Sequence, residues 1–155
     1  MRYGDILFIW IIHRMSFAKL LKFGKEGEDY AKTYFKDYDE LIEAPPGKWS
    51  YWDFGIRYGE DKKFYEVKRD TYTIKTGNFC IEFECSGIPS GISITQADYY
   101  IYIVEGDEVA MYLIPVDDIK LMISKEKYHQ KRKLGYRYLA NCYLFKRELF
   151  EPYRV

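Results

Sequence analysis

Residues Trp52 to Arg69, WDFGIRYGEDKKFYEVKR, alternate apolar and polar side chains through two arms with a polar turn between them. Along the first arm Trp52, Phe54, Ile56 and Tyr58 alternate with Asp53, Gly55 and Arg57, the period of two that marks a half-buried strand with Asp53 on its non-core face. Along the second arm Phe64, Glu66 and Lys68 share one face and Tyr65, Val67 and Arg69 the other, with Gly59 to Lys63 supplying the turn. A two-residue turn sets Asp53 opposite Glu66, and a four-residue turn sets it opposite Lys68. These registers differ by an even shift, so both keep the three side chains on one face. Two carboxylates and an ammonium then converge on one small patch, which is unfavourable unless something binds there.

Upstream of this hairpin the apolar spacing is helical. Phe17, Leu20 and Leu21, then Tyr30, Ala31, Tyr34 and Phe35, recur at three and four residues, and Gly24 and Gly27 interrupt them. The pattern predicts a short helix, a break, and a second helix over about 27–36 with Glu28 in its first turn. Ala44-Pro45-Pro46-Gly47 ends the segment. Downstream, Asp70 to Gly77 reads as a loop or strand extension. Asn78 to Cys85 alternates again, with Glu82 and Glu84 on the polar face of a third strand. Ser86 to Gly91 is a turn by composition, and Thr95 is placed to cap a helical turn through Asp98. Tyr99 to Val104 and Val109 to Ile114 read as two strands, Pro115 with Asp117 and Asp118 starts a helix to about Lys127, and Tyr143 to Phe150 makes a last strand. The fold class is α/β, a central mixed β-sheet flanked by helices.

A chain of 155 residues is long enough to bury one core. Ile6 to Ile12 is a run of seven apolar residues, short of the roughly 20 that a spanning helix needs. His13, Arg14 and Met15 follow where a small-residue cleavage site would stand. Residues 1–15 therefore read as an apolar N-terminal arm, a short strand, or a mis-assigned start ahead of Met15, and residues 16–155 as a single domain. No membrane partner is expected. Three cysteines without a CxxC pair suit a reduced, cytoplasmic compartment and argue against structural zinc.

Net charge is zero, but it is unevenly spread. Residues 120–155 hold ten Lys or Arg against three Glu, a balance of +7 that leaves −7 elsewhere. An acidic body with a basic C-terminal quarter suits a metal site beside a polyanion-binding surface, and a solvated charged face explains the charge equally well. On the first reading Lys125, Lys127, Lys131, Arg132, Lys133 and Arg137 contact nucleic-acid phosphates, with His129 inside the same segment. The 17 tyrosines are mostly strand and core residues with a polar tip.

The patch on the hairpin has the chemistry of a hard-cation site. Mg²⁺ takes oxygen ligands, commonly one or two carboxylates with waters and substrate phosphates. Asp53 and Glu66 supply the carboxylates and the Val67 carbonyl a third oxygen. Lys68 lies where an ammonium can orient water or stabilise a phosphorane-like transition state. Glu28 is a candidate for a metal-bound water or a second cation, and Glu82 or Glu84 for an extra ligand. Gln96 is a candidate contact to the site or to DNA, though a surface glutamine is the simpler reading. The acid-x-Lys tripeptide occurs four times in the chain, and only Glu66-Val67-Lys68 sits in an alternating strand with another acid across a hairpin. The competing reading is an exposed strand pair carrying a cross-strand ion pair.

Glu28, then Asp53, then Glu66-Val67-Lys68 thirteen residues later resembles the PD-(D/E)XK nucleases. Within that superfamily the order and spacing are similar to those of archaeal Holliday junction resolvases and small viral nucleases. Lys75 to Tyr100 also looks like nuclease-like proteins of viruses and phages. The resemblance covers roughly 24–104 and departs from the motif in having Trp52, not proline, before Asp53. It implies a restriction-endonuclease-like fold, Mg²⁺ or Mn²⁺ as cofactor and cleavage of DNA. Residue by residue, it assigns metal binding to Asp53 and Glu66, the catalytic lysine to Lys68 and the first-helix glutamate to Glu28. It admits the host cell of a virus as the place of action, and the sequence leaves a homodimer open. The alternative is a nucleic-acid-binding protein that kept the fold and lost cleavage.

Overall fold

The computed structural model describes residues 17–134 and 139–155; the apolar run Ile6 to Ile12 and the candidate Arg137 lie outside them. Helix α1 (Phe17–Lys32) leads to strand β1 (Glu40–Glu43) and the hairpin β2 (Phe54–Tyr58) and β3 (Asp61–Asp70). A short helix α2 (Thr73–Thr76) precedes β4 (Asn78–Cys85), the two-residue β5 (Ile88–Pro89) and a 3₁₀ turn (Gly91–Ser93). Then come β6 (Tyr99–Val104), β7 (Ala110–Pro115), α3 (Val116–Ser124), β8 (Gln130–Leu134), β9 (Ala140–Lys146) and a 3₁₀ segment (Arg147–Tyr153).

The central sheet is mixed, in the order β1-β2-β3-β6-β7, with β3 and β6 parallel and the other pairs antiparallel. A second, antiparallel sheet runs β5-β4-β9-β8. The β6 sequence, YYIYIV, is apolar or aromatic throughout because the strand is covered on both faces. Ile101 and Ile103 join Phe54, Ile56 and Tyr65 beneath Ala31 and Phe35 of the α1 region. Tyr100, Tyr102 and Val104 face the other way, into a larger core with Phe79 and Ile81 of β4, Phe145 of β9, Val116 and Ile119 of α3, and Phe150. Phe79 stacks on Tyr102 at 4.1 Å and on Phe150 at 4.6 Å, which locks the second sheet to the first. The expected mixed sheet is present. Helix α1 covers one face, whereas the other carries a β-sheet together with α3 in place of helices alone.

The hairpin turn is the two-residue Gly59-Glu60, because Tyr58 pairs with Asp61. Asp61 to Lys63 are therefore strand, not turn. Gly59 takes φ +58°, a value that favours glycine. The register extrapolates to Asp53 opposite Glu66, but regular pairing stops at Phe54↔Tyr65 and β3 runs on alone along that edge.

Several local expectations give way to tertiary structure. The two predicted helices are one, continuous through Gly24 and Gly27 and ending at Lys32. Gly27 is there for space, since a Cβ would lie 3.3 Å from the Arg69 side chain. Residues 73–76 form a helical turn because Asp70 accepts the Tyr72 and Thr73 N–H groups at 2.5 and 2.8 Å. Thr95 starts no helix; its hydroxyl donates to the Tyr51 carbonyl at 3.1 Å, and the 3₁₀ turn falls earlier, at Gly91–Ser93.

Further on, α3 stops at Ser124 rather than Lys127. Glu126 adopts φ +51°, and the N–H groups of Glu126 and Lys127 reach back to Ile123 and Met122 at 2.9 Å in a Schellman closure. The last strand is Ala140–Lys146, with Arg147–Phe150 already in 3₁₀ conformation. Strands β1 and β8 carried no clear sequence signal. No helix among the described residues is long and apolar enough to cross a membrane.

Candidate metal centre

The end of β2 is what builds the site. Beyond Phe54 the Asp53 N–H still donates to the Tyr65 carbonyl at 2.8 Å, and the Asp53 side chain then replaces the missing strand. Its Oδ2 accepts the Val67 N–H at 2.6 Å. The N–H and C=O of one strand residue point to the same edge, so the Val67 carbonyl also faces the edge that β2 has left. On the neighbouring positions of β3, Lys68 Nζ donates to Glu66 Oε1 at 2.6 Å. The Glu66 side chain is 12 % exposed and that of Lys68 36 %. The expected convergence of Asp53, Glu66 and Lys68 is thus found. Among the described residues each acid keeps one oxygen, Asp53 Oδ1 and Glu66 Oε2, outside any hydrogen bond.

The electrostatics record the crowding. Burial, then the charge of Glu66, pushes the Asp53 carboxyl from its ordinary 3.8 up to about 6. The Val67 N–H and Lys68 pull it back, and Glu28 adds a smaller upward push, so the helix glutamate is within electrostatic reach. Burial alone would lower the Lys68 pKa, but Glu66, Tyr100 and Asp53 together outweigh it and hold the ammonium charged.

The other candidates are placed less centrally. Glu28 sits on α1 with its nearest partner, Lys25, at 3.4 Å. A register irregularity between Glu82 and Glu84 pairs them with the consecutive residues Cys142 and Asn141, so the two acids leave β4 on opposite faces. Glu82 accepts from Ser90 Oγ at 2.6 Å and its charge is felt at Tyr100 beside Glu66. Glu84 accepts from Asn141 Nδ2 at 2.5 Å and lines a groove with Ser86 and Lys133, away from the hairpin. Of the two, Glu82 alone joins the neighbourhood. Gln96 is exposed, tied by its N–H to the Tyr51 carbonyl at 2.9 Å. Among the described residues no cluster of three or more His, Cys, Asp or Glu is tight enough to hold a metal by itself. Asp53, Glu66 and a main-chain oxygen fit a cation that keeps most of its waters, which is Mg²⁺ behaviour.

Three of the basic candidates lie on the second sheet and two in the segment after α3. Lys131 and Lys133 are exposed on the edge strand β8, Arg132 is half-buried between them, and Lys125 and Lys127 are exposed just after α3. Lys131 also lies over the rings of Tyr128 and Tyr143 at 5.6 and 5.5 Å. Strand β8 is two places from β4, about 10 Å at the usual strand spacing.

Sequence reading passed over Tyr100. It is the pairing partner of Glu66 on β6, and Lys68 Nζ stands 5.7 Å from its ring centre. The available signal was two tyrosines on one face of an otherwise apolar strand, which reads as core. Compared with known proteins, the chain matches no family model, no curated protein and no solved structure.

Proposed function

We propose that the protein is a Mg²⁺-dependent deoxyribonuclease of the PD-(D/E)XK type. The observation that carries this reading is the junction at the end of β2. There an aspartate caps the main chain of the strand bearing a glutamate and a lysine, and among the described residues each acid keeps one oxygen free. The mixed sheet with α1 on one face agrees with the restriction-endonuclease-like fold that the sequence resemblance implies. Asp53, Glu66 and the Val67 carbonyl would hold the cation. When bound, such an ion polarises a phosphodiester and lowers the pKa of water.

The chain's own part is positional. Asp53 fixes the Val67 peptide, and Glu66 fixes the Lys68 ammonium at 2.6 Å. Among the described residues Glu66 alone accepts from the ammonium, which leaves two protons for an attacking water or a phosphate oxygen, and a fixed donor in a partly dry site acts without reorganising. The exposed lysines of β8 and of the segment after α3 would guide the DNA backbone. DNA as linear, circular, single-stranded and branched substrates, incubated with and without Mg²⁺, tests the proposal. Metal-dependent cleavage of any of them supports it, and no cleavage of all four overturns it.

One observation favours a second reading, a binding protein without catalysis. Glu66 and Lys68 neutralise each other, and the Asp53–Glu66 pair lacks a third close side-chain ligand among the described residues. That protein would bind the same DNA with no requirement for Mg²⁺ and leave it intact.

A further inference from the structure

Tyr100 and Tyr102 leave the same face of β6 but end in different surroundings. The Tyr102 hydroxyl donates to Asp70 and accepts the Cys80 N–H at 3.2 Å, so its polar tip is fully used. Tyr100 is 1 % exposed, and its hydroxyl has no hydrogen-bond partner among the described residues. Buried hydroxyls are almost always paired, because an unmade bond leaves the full desolvation penalty standing. An orphan in a packed core points to a partner beyond the described residues.

The neighbourhood defines that partner. Glu66 is directly beside Tyr100 on the adjoining strand, and the Lys68 ammonium lies above its ring. The charges of Lys68, Glu66, Glu82 and Asp53 all act on the hydroxyl. Burial raises the phenol's pKa, so it stays a neutral donor. Glu82 already spends one oxygen on Ser90 and Glu66 spends one on Lys68. Three carboxylates repel a bare anionic oxygen and accept a neutral one. A water receives two hydrogen bonds and gives two. A water placed there would take hydrogen bonds from Tyr100 and Lys68 and would give its own to the remaining oxygens of Glu66 and Glu82.

We propose that the Tyr100 hydroxyl donates to a water shared with the Lys68 ammonium, making Tyr100 a positioning residue of the Asp53–Glu66 metal site. This rests on the metal-dependent reading above. Removing a group that orders the surroundings of bound metal typically weakens affinity by about 10-fold or more. Removing an orphan hydroxyl that serves nothing leaves affinity alone.

The test uses the 155-residue chain as wild type, Tyr100→Phe and Glu66→Gln. Mn²⁺ affinity is read by electron paramagnetic resonance of the free ion, and melting temperature is read in EDTA. Tyr100→Phe is expected to melt at or above the wild-type temperature and to bind Mn²⁺ about tenfold more weakly. In wild type labelled with ¹³Cζ-tyrosine, saturation with diamagnetic Mg²⁺ is expected to shift the Tyr100 resonance, a readout that does not depend on the variant folding. Mn²⁺ binding lost in Glu66→Gln but unchanged in Tyr100→Phe, with an unmoved Tyr100 resonance, overturns the role of Tyr100 alone. A wild type that binds no Mn²⁺ overturns this inference together with the metal-site reading on which it rests.

Discussion

Replacing Asp53 by Asn should make the metal-free protein more stable at neutral pH while removing its response to metal. The folded carboxyl has its pKa at about 6 against an ordinary 3.8, with burial the main cause and Glu66 the next. A raised folded-state pKa means that the native protein holds this proton more tightly than the unfolded chain does. The associated stability is fully present below about pH 4, is lost as pH rises through about 6, and is absent above that. A difference of about 2 in pKa at about 1.4 kcal/mol each gives roughly 3 kcal/mol as a ceiling for this group. Asn keeps an oxygen for the Val67 N–H and carries no charge to bury. At this chain length roughly 3 kcal/mol corresponds to about 6–12 °C in melting temperature. Thermal unfolding of wild type and Asp53→Asn in EDTA from pH 4.5 to 8 should show their difference growing with pH and levelling above about 6.5. Saturating Mg²⁺ should then raise the wild-type melting temperature and leave the variant unmoved. An Asn variant less stable at pH 7.5 in EDTA, or a difference that does not vary with pH, would refute the reasoning.

Lys68→Ala should reduce cleavage by about 10² or more while the protein still binds metal. Because Lys68 lowers the Asp53 pKa, the same change should move the pH midpoint of Mg²⁺ binding upward in calorimetric titrations. Lys131→Glu with Lys133→Glu, both exposed on β8, should weaken DNA binding and flatten its salt dependence, the slope falling by about 1 for each phosphate no longer neutralised, as measured by fluorescence anisotropy across NaCl. Phe79→Ala, which empties the space between Tyr102 and Phe150, should destabilise the fold by about 3–5 kcal/mol in urea titration.

The hairpin was legible because a strict period of two binds side-chain identity to face, and any even register keeps Asp53, Glu66 and Lys68 together. Strand β4 was legible for the same reason, with its observed bounds, Asn78–Cys85, those of the alternating run. What lay beyond the sequence depends on distant partners. The pairing of Asn78 with Lys146 that assembles the second sheet has no local signature. Strand β8, QKRKL, looks like a solvated basic segment because an edge strand carries lysine to discourage further pairing. Gly24 and Gly27 suggested a break in α1, yet Gly27 serves the close approach of Arg69. The irregularity that parts Glu82 from Glu84 is equally silent in the sequence, so only the fold distinguishes the acid near the site from the one outside it.

Glu66→Gln bears most directly on the central claim, because it removes one negative ligand while keeping size and shape. Supercoiled plasmid cleavage in Mg²⁺, run beside calorimetric Mg²⁺ titration and DNA-binding anisotropy, gives the three numbers required. A metal-dependent nuclease built on Asp53, Glu66 and Lys68 loses cleavage and most of its metal affinity in this variant, yet keeps or improves its grip on DNA as an anion facing phosphates is neutralised. Cleavage by Glu66→Gln at the wild-type rate would contradict the account.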